Sequence, residues 1–511
     1  MVRFVAIACV AIALGLTACG GSGGGAALPG APGPQPSTSP VASPSPGASP
    51  SPSPAASADI VVDTSQTIAT ISKDVLGMNM AAWYDVTQSG VAPAMHTAGV
   101  AMTRWPGGSL SDDYHWQNNT YCGSYANPNS TFDHFIQDVA QPASLDVAIT
   151  VDYGTDAACS GPGDPAEAAG WVDHANNTKH YGVKWWTVGN EVYGSWEDDR
   201  HTLAHDPATY SAAVTSGYYP MMKAKDPTIQ VGVVVGGGST WDSYVLAHAT
   251  FDFVEDHFYA QGPGSENDAY LLTQAPAALA AQLAGVRAEM NAAGVSSSVP
   301  IYLGELNSVY ANPGKQTMSI VNGLFAGMAL AEAMKQGVPR ATWWLGFGGC
   351  GVGNQSPSLY GWQNFGGYMS FSDGLPESGC TSAPAIARGT PFPPARAMQV
   401  LAQFAVAGAI MHKVTVAGGL GSVRAYGARQ GTGYAVLLFN LDKNSAVSPT
   451  ISIAHTTRTS FAASSIVYGK KQYDDSKNDM WTGPVSSSLG TVGQTFAVML
   501  PAWSMTVVKL Q

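Results

Sequence analysis

Between Val75 and Leu345 the chain repeats one pattern: a short run of β-branched, aromatic and aliphatic residues, a polar or Gly-rich break, and a longer stretch with apolar positions at helical spacing. Eight runs read as buried strands: Val75–Met80, Ala101–Trp105, Leu145–Val151, Val183–Glu191, Ile229–Val235, Phe251–His257, Val299–Glu305 and Arg340–Leu345. Two of the intervening helices announce their starts. Asp164-Pro-Ala-Glu167 leads into Ala168, Trp171, Val172 and Ala175, and Asp206-Pro207 opens another. Eight strand–helix repeats predict an α/β chain with a (β/α)8 TIM barrel over residues 59–410, whose chemistry would sit at the C-terminal ends of its strands. From Met411 onward helical spacing disappears and short alternating runs such as Gly433–Asn440 and Phe496–Leu500 take over. They predict a small C-terminal β-sandwich over 411–511, to which Ile60–Val62 is expected to add an edge strand.

The first residues carry a different pattern. Arg3 precedes an apolar segment, Phe4 to Leu16, too short to span a bilayer, and Leu16-Thr-Ala-Cys19 has the form of a bacterial lipoprotein box. Residues 1–18 are therefore expected to be a signal peptide and Cys19 the lipidated residue; the alternative is an ordinary secretory signal cut near Ala18. Residues 19–58 are rich in Gly, Ser, Pro and Ala and carry no charge, which predicts a tether rather than a core. Export to an oxidising compartment makes disulfides the natural fate of Cys122, Cys159, Cys350 and Cys380. Of three possible pairings, Cys122 with Cys159 and Cys350 with Cys380 is favoured, because each would staple neighbouring loops. Charged residues make up 11% of the chain, and the net charge of -12 argues against nucleic acid or an anionic membrane surface as partner. Membrane contact is expected only through the lipid. A neutral polymer such as a polysaccharide, or its oligosaccharides, fits better.

Only nine of the 35 acidic residues are Glu, and two of those close apolar strands: Glu191 after Val183-Lys-Trp-Trp-Thr-Val-Gly-Asn, and Glu305 after Val299-Pro-Ile-Tyr-Leu-Gly. An ionisable group at such a tip is hard to explain as packing. Paired carboxylates at strand ends suit glycoside hydrolysis, in which one protonates the leaving oxygen and the other attacks the anomeric carbon. On that scheme Glu191 is protonated in the free protein, its pKa raised by the charge of Glu305. Glu255 is the rival acid. Trp83, Trp105, Trp116, Trp343 and Trp344 are candidates to stack on sugar rings. Gly346-Phe-Gly-Gly-Cys-Gly351 matches a dinucleotide fingerprint only formally, because a loop follows it, and His201 and His205 lack the intervening Glu of a zinc protease site. No cofactor or metal is implied.

Gly189-Asn-Glu191 on strand 4 and Glu305 on strand 7 resemble the acid/base and nucleophile of retaining glycoside hydrolases of clan A. Thr103-Arg-Trp-Pro-Gly-Gly-Ser109, Tyr114-His-Trp116 and Val254-Glu-Asp-His-Phe-Tyr259 are most similar to the family 51 α-L-arabinofuranosidases, a resemblance running from about Ile71 to Val508. It implies that Asn190 hydrogen-bonds the sugar 2-hydroxyl, that Arg104 holds the nucleophile, and that His257 and Tyr259 line the site; Asn79 and Trp343 are further candidate substrate contacts. Ala81 stands where that family carries a sugar-binding Glu, and Ser109 where it carries Asn. Gly77-Met-Asn-Met80 is also similar to family 44 endoglucanases and xyloglucanases, so a β-glucan or xylan is the alternative substrate. A catalytically silent, surface-tethered carbohydrate-binding protein is the reading from a different class.

Overall fold

The computed structural model describes residues 58–362, 364–374, 386–476 and 482–511. The expected signal peptide, Cys19, the tether and Cys380 lie outside these residues, and so does the expected bond from Cys350 to Cys380.

Eight parallel strands close into a barrel, numbered here in chain order: β1 Gly77–Asn79, β2 Met102–Trp105, β3 Asp146–Val151, β4 Trp185–Val188, β5 Gln230–Val234, β6 Phe253–Gln261, β7 Ile301–Val309 and β8 Arg340–Trp343. Each pairs with its sequence neighbour, and β8 returns to β1 through Thr342 opposite Gly77. The helices between them start as their sequences dictate. Asp164 accepts a hydrogen bond from the Ala166 N–H and Asp206 one from the Thr209 N–H, each followed by a proline at the first helical position, where no N–H is needed.

The C-terminal strands form a nine-stranded sheet curled into a sandwich. Its middle shows why Gly433–Asn440 is buried at every position. Val436 and Leu438 point into the sandwich's own core with Ile60, Val62, Ile451 and Leu510, while Leu437 and Phe439 join the barrel's core. The intermediary is the helix Ile320–Lys335, which follows β7 and is buried on nearly all sides. Gly327 permits that approach: a Cβ there would lie 2.8 Å from Met505 Sδ and 3.0 Å from Phe439.

The N-terminal boundary departs from expectation. Ile60–Thr70 is an eleven-residue strand lying inside the C-terminal sheet, antiparallel to Ile410–Val416 and parallel to Thr450–Ala454, so it is not an edge strand and not part of a barrel beginning at residue 59. Burying Ile60 and Val62 requires partners on both sides. Among the described residues, no helix is long and apolar enough to cross a membrane.

Candidate active site

The tip of β4 departs from regular strand within one residue. Gly189 turns the chain at φ +76°, and Glu191 itself sits in the left-handed region at φ +43°, a conformation that costs a non-glycine residue about 1–2 kcal/mol. The turn is held from below. Tyr210 donates its hydroxyl to the Val188 carbonyl at 2.7 Å, and the Asn190 N–H donates to Asp112 Oδ2 at 2.9 Å. The strain therefore buys an inward aim for Glu191, whose side chain keeps 19% of its surface exposed.

Glu305 is positioned differently. β7 does not end at Glu305 but runs on to Val309, and its pairing with β6 skips one residue between Leu303 and Glu305. The residue in the gap is Gly304, where a Cβ would lie 2.0 Å from Glu255 Oε1, so only glycine lets the two glutamates share this layer. Glu305 Oε1 accepts from Arg104 Nη1 at 2.9 Å and Oε2 from the Tyr259 hydroxyl at 2.5 Å. Arg104, fully buried, also pairs through Nε with Glu255 Oε1 at 2.8 Å and donates through Nη2 to Asn190 Oδ1 at 2.7 Å. Glu255, the rival acid, is buried completely beneath the mouth, where burial works to raise its pKa but Arg104 and His257 hold it below the usual carboxylate range.

His257 joins the two tips. Its Nδ1 lies 2.7 Å from Glu191 Oε1 and 4.0 Å from Glu305 Oε2, and its Nε2 lies 3.2 Å from Glu255 Oε1. Burial works against the imidazolium, yet Glu305, Glu191 and Glu255 outweigh it and push the histidine's pKa up to about 10. Burial also tends to raise Glu191, but the hydrogen bond and charge of His257, a second hydrogen bond from Trp196 Nε1 at 3.0 Å and the charge of Arg104 lower it instead. This corrects the expectation that Glu191 holds the proton because Glu305 is charged. The imidazole between them takes it.

Of the other expected contacts, Asn79 is fully buried, donating to the Gly304 and Thr342 carbonyls at 3.0 and 3.2 Å and accepting from Arg104 at 3.2 Å. It stands under the carboxylates rather than beside a ligand. Trp343 is also fully buried, its ring turned outward from the barrel against Phe325 at 6.0 Å, so it is core and not a sugar platform. The adjacent Trp344 faces the mouth, covering Gly108 and lying 6.1 Å from Trp83. Trp105 and Trp116 stack on Phe135 and Trp171 respectively. Cys122 and Cys159 are bonded, tying the loop after β2 to the loop after β3. Two neighbours were not anticipated: Trp196, 54% exposed, and Glu197, which is buried and takes hydrogen bonds from Asn190 Nδ2 and Ser109 Oγ, both at 3.0 Å. In sequence Glu197 opens an acidic run with Asp198 and Asp199, which reads as a solvated turn.

A (β/α)8 barrel followed by a β-sandwich, with one glutamate just beyond β4 and the other in the middle of β7, is the architecture these residues build. No family model matches the chain. Over 189 residues it is 26% identical to the alpha-L-arabinofuranosidase C of Emericella nidulans, a stretch that covers 30% of this chain and 34% of that protein, so the chain spans about a third of the length of the curated relatives it matches. Solved structures share the fold over most of the chain. An alpha-L-arabinofuranosidase from Thermotoga maritima, in complex with arabinose, superposes with a TM-score of 0.67 at 18% identity, covering 89% of this chain and 99% of its own. A Paenibacillus polymyxa xyloglucanase of glycoside hydrolase family 44 does so with a TM-score of 0.63 at 12% identity, covering 88% and 99%.

Proposed function

We propose that this protein is a retaining glycoside hydrolase acting on plant-type polysaccharide or its oligosaccharides, most readily on terminal α-L-arabinofuranosyl groups. The observation that carries the reading is the approach of Glu191 and Glu305 to a single nitrogen of His257, at 2.7 and 4.0 Å, over the buried Arg104. Carboxylates that flank one nitrogen in this way suit direct attack, for which a separation of about 5–5.5 Å is needed, better than the wider spacing that seats a water. Glu305, fixed by Arg104 and Tyr259, is the nucleophile. Glu191 is the acid/base. Its proton comes from His257 along the 2.7 Å hydrogen bond as negative charge develops on the leaving oxygen, and returns once water attacks the glycosyl ester and restores the Glu305 carboxylate. The similarity to alpha-L-arabinofuranosidases in sequence and in fold supports the choice of sugar.

A second substrate reading, a β-glycanase, is favoured by Ala81, which is buried against Gly107 and offers no polar contact where the arabinofuranosidases carry a carboxylate. The test is release of 4-nitrophenol from arabinofuranoside, xyloside and glucoside, run beside hydrolysis of arabinan and xyloglucan. Arabinofuranoside turnover with retention, seen by proton NMR of the first product anomer, is expected. Activity on xyloglucan alone would move the assignment to the second reading, and an inverted anomer would remove Glu305 as nucleophile. Export and a lipid anchor on Cys19 belong to the same proposal, supported by Leu16-Thr-Ala-Cys19. Radiolabelled palmitate is expected to enter the wild type and not Cys19→Ala.

A further inference from the structure

Glu197 is a buried acid beside the mouth to which the scheme above gives no task. It lies six residues past Glu191 and is 95% buried (5% exposed), with a distinct set of neighbours. Oε1 accepts from the Asn190 carboxamide at 3.0 Å and from the exposed Ser109 hydroxyl at 3.0 Å, while Oε2 is buried with no hydrogen-bond partner. An ionised carboxylate with one oxygen sealed and unpaired is strongly disfavoured, whereas a neutral carboxyl tolerates it better. The neutral acid still offers one carbonyl oxygen to Asn190 and Ser109. That matters because a carboxamide has two ends. With Nδ2 tied to Glu197, Asn190 must turn Oδ1 toward Arg104 Nη2, which it meets at 2.7 Å, and Arg104 in turn holds Glu305.

We propose that Glu197 is a positioning residue for the glycosidase reaction: its carboxyl fixes the orientation of Asn190 and, through Arg104, that of the nucleophile Glu305. The inference rests on the hydrolase reading of the site. The titratable groups that face Glu197 are Glu191 and Tyr193 on its own loop, Asp112 from the loop after β2 and Glu305 from β7. Burial, then the charges of Glu191 and Glu305, push its pKa up to about 8 against the hydrogen bonds from Ser109 and Asn190. Above that pH the charge sits unpaired beside two other carboxylates. Positioning of Glu305 is then lost.

The full-length wild type is compared with Glu197→Ala and Glu197→Gln on whichever aryl glycoside the wild type hydrolyses. Glu197→Ala is expected to lower kcat about 10- to 100-fold with a smaller change in KM, as the loss of a buried hydrogen-bond partner implies. Glu197→Gln keeps the accepting carbonyl and should recover most of that loss. Its alkaline limb of kcat should also move upward from pH 8, toward the next group, His257. A Gln variant no better than Ala overturns the proposal, as does a pair of variants that change only yield or Tm while kcat and the alkaline limb stay at the wild-type values. A second measurement needs no turnover. With carboxyl-¹³C glutamate there are nine Glu signals, and the one absent from Glu197→Gln should titrate near pH 8. Titration of that signal below pH 5 overturns the proposal by itself, whereas failure of every glycoside to react would overturn only the hydrolase reading.

Discussion

Strands β4 and β7 present the same side chain in opposite ways. Glu305 stands inside a regular strand, on a bulge, with both carboxylate oxygens held and the Arg104 cation beside it. Glu191 stands beyond its strand on a strained turn, partly exposed, held by a histidine and by the indole of a surface tryptophan. Two acids near it, Glu197 and Asp112, are buried, and burial raises the pKa of both. One carboxylate is paired with a fixed cation; the other stands among groups that hold protons. A nucleophile needs a fixed ionised oxygen and an acid/base needs a group able to change protonation, so the contrast is what the roles proposed for Glu305 and Glu191 require.

The largest effect that bears on this contrast is deletion of each carboxyl. Glu305→Ala is expected to remove turnover of activated and natural substrates alike, by about 10⁴-fold or more, because no glycosyl ester can form. Glu191→Ala should lose about 10² to 10⁴ on natural substrates yet keep the first step on a dinitrophenyl glycoside, with added azide giving a glycosyl azide of retained configuration. Equal losses on both substrates, with no azide product, would erase the distinction between the tips and return attention to Glu255.

The hydrogen bonds sharpen the same point. Tyr259→Phe removes a donor to a buried charge and should lower kcat/KM about 10- to 100-fold, whereas Trp196→Phe removes one at a surface position and should cost only about 2- to 10-fold. A larger loss at Trp196 would show that the turn, not the strand, is the more tightly held. The smallest effect concerns pH. Asp113 and Asp256 have pKa values raised by burial to about 7, and Asp74 and Asp242 to about 6. The native state keeps protons that the unfolded chain releases from about pH 4 upward, so stability falls as pH rises through the window from 4 to 7. His257, raised to about 10, acts in the same direction above pH 6.5. Differential scanning calorimetry is expected to give a Tm a few degrees higher at pH 5 than at pH 8, measured with matched salt.

Much of this was legible in the chain because burial on both faces leaves an unmistakable run of apolar residues. All eight barrel strands and the pairing of Glu191 with Glu305 across the mouth follow from such runs. The side to which a residue turns did not follow. Trp343 and Trp344 are adjacent, so alternation requires them to face opposite ways without saying which enters the barrel. Asn79 lies in an equally plain strand, and its role beneath Arg104 depends on carbonyls from β7 and β8. Glu197 gave no signal because burial of one acid in an acidic run depends on a loop some 90 residues earlier, where Ser109 meets it. The position of Ile60–Thr70 was obscured for a similar reason: its middle, Ser65 to Thr67, is exposed and breaks the alternation, and its partners begin some 340 residues away.

That long-range pairing has a consequence for synthesis. Ile60–Thr70 leaves the ribosome before any barrel strand, yet the strands on either side of it, Ile410–Val416 and Thr450–Ala454, follow all eight barrel strands. At about 5–20 residues per second the strand waits about 20 to 70 s for its first neighbour. Throughout that interval its unpaired edge and the apolar side chains of Ile60 and Val62 are open to other nascent chains. In sequence the barrel lies between one strand of that sheet and the other eight, so the sheet can close around its first strand only after the whole barrel has been made, and the chain's dependence on a holding chaperone should exceed that of a barrel whose first strand belongs to itself.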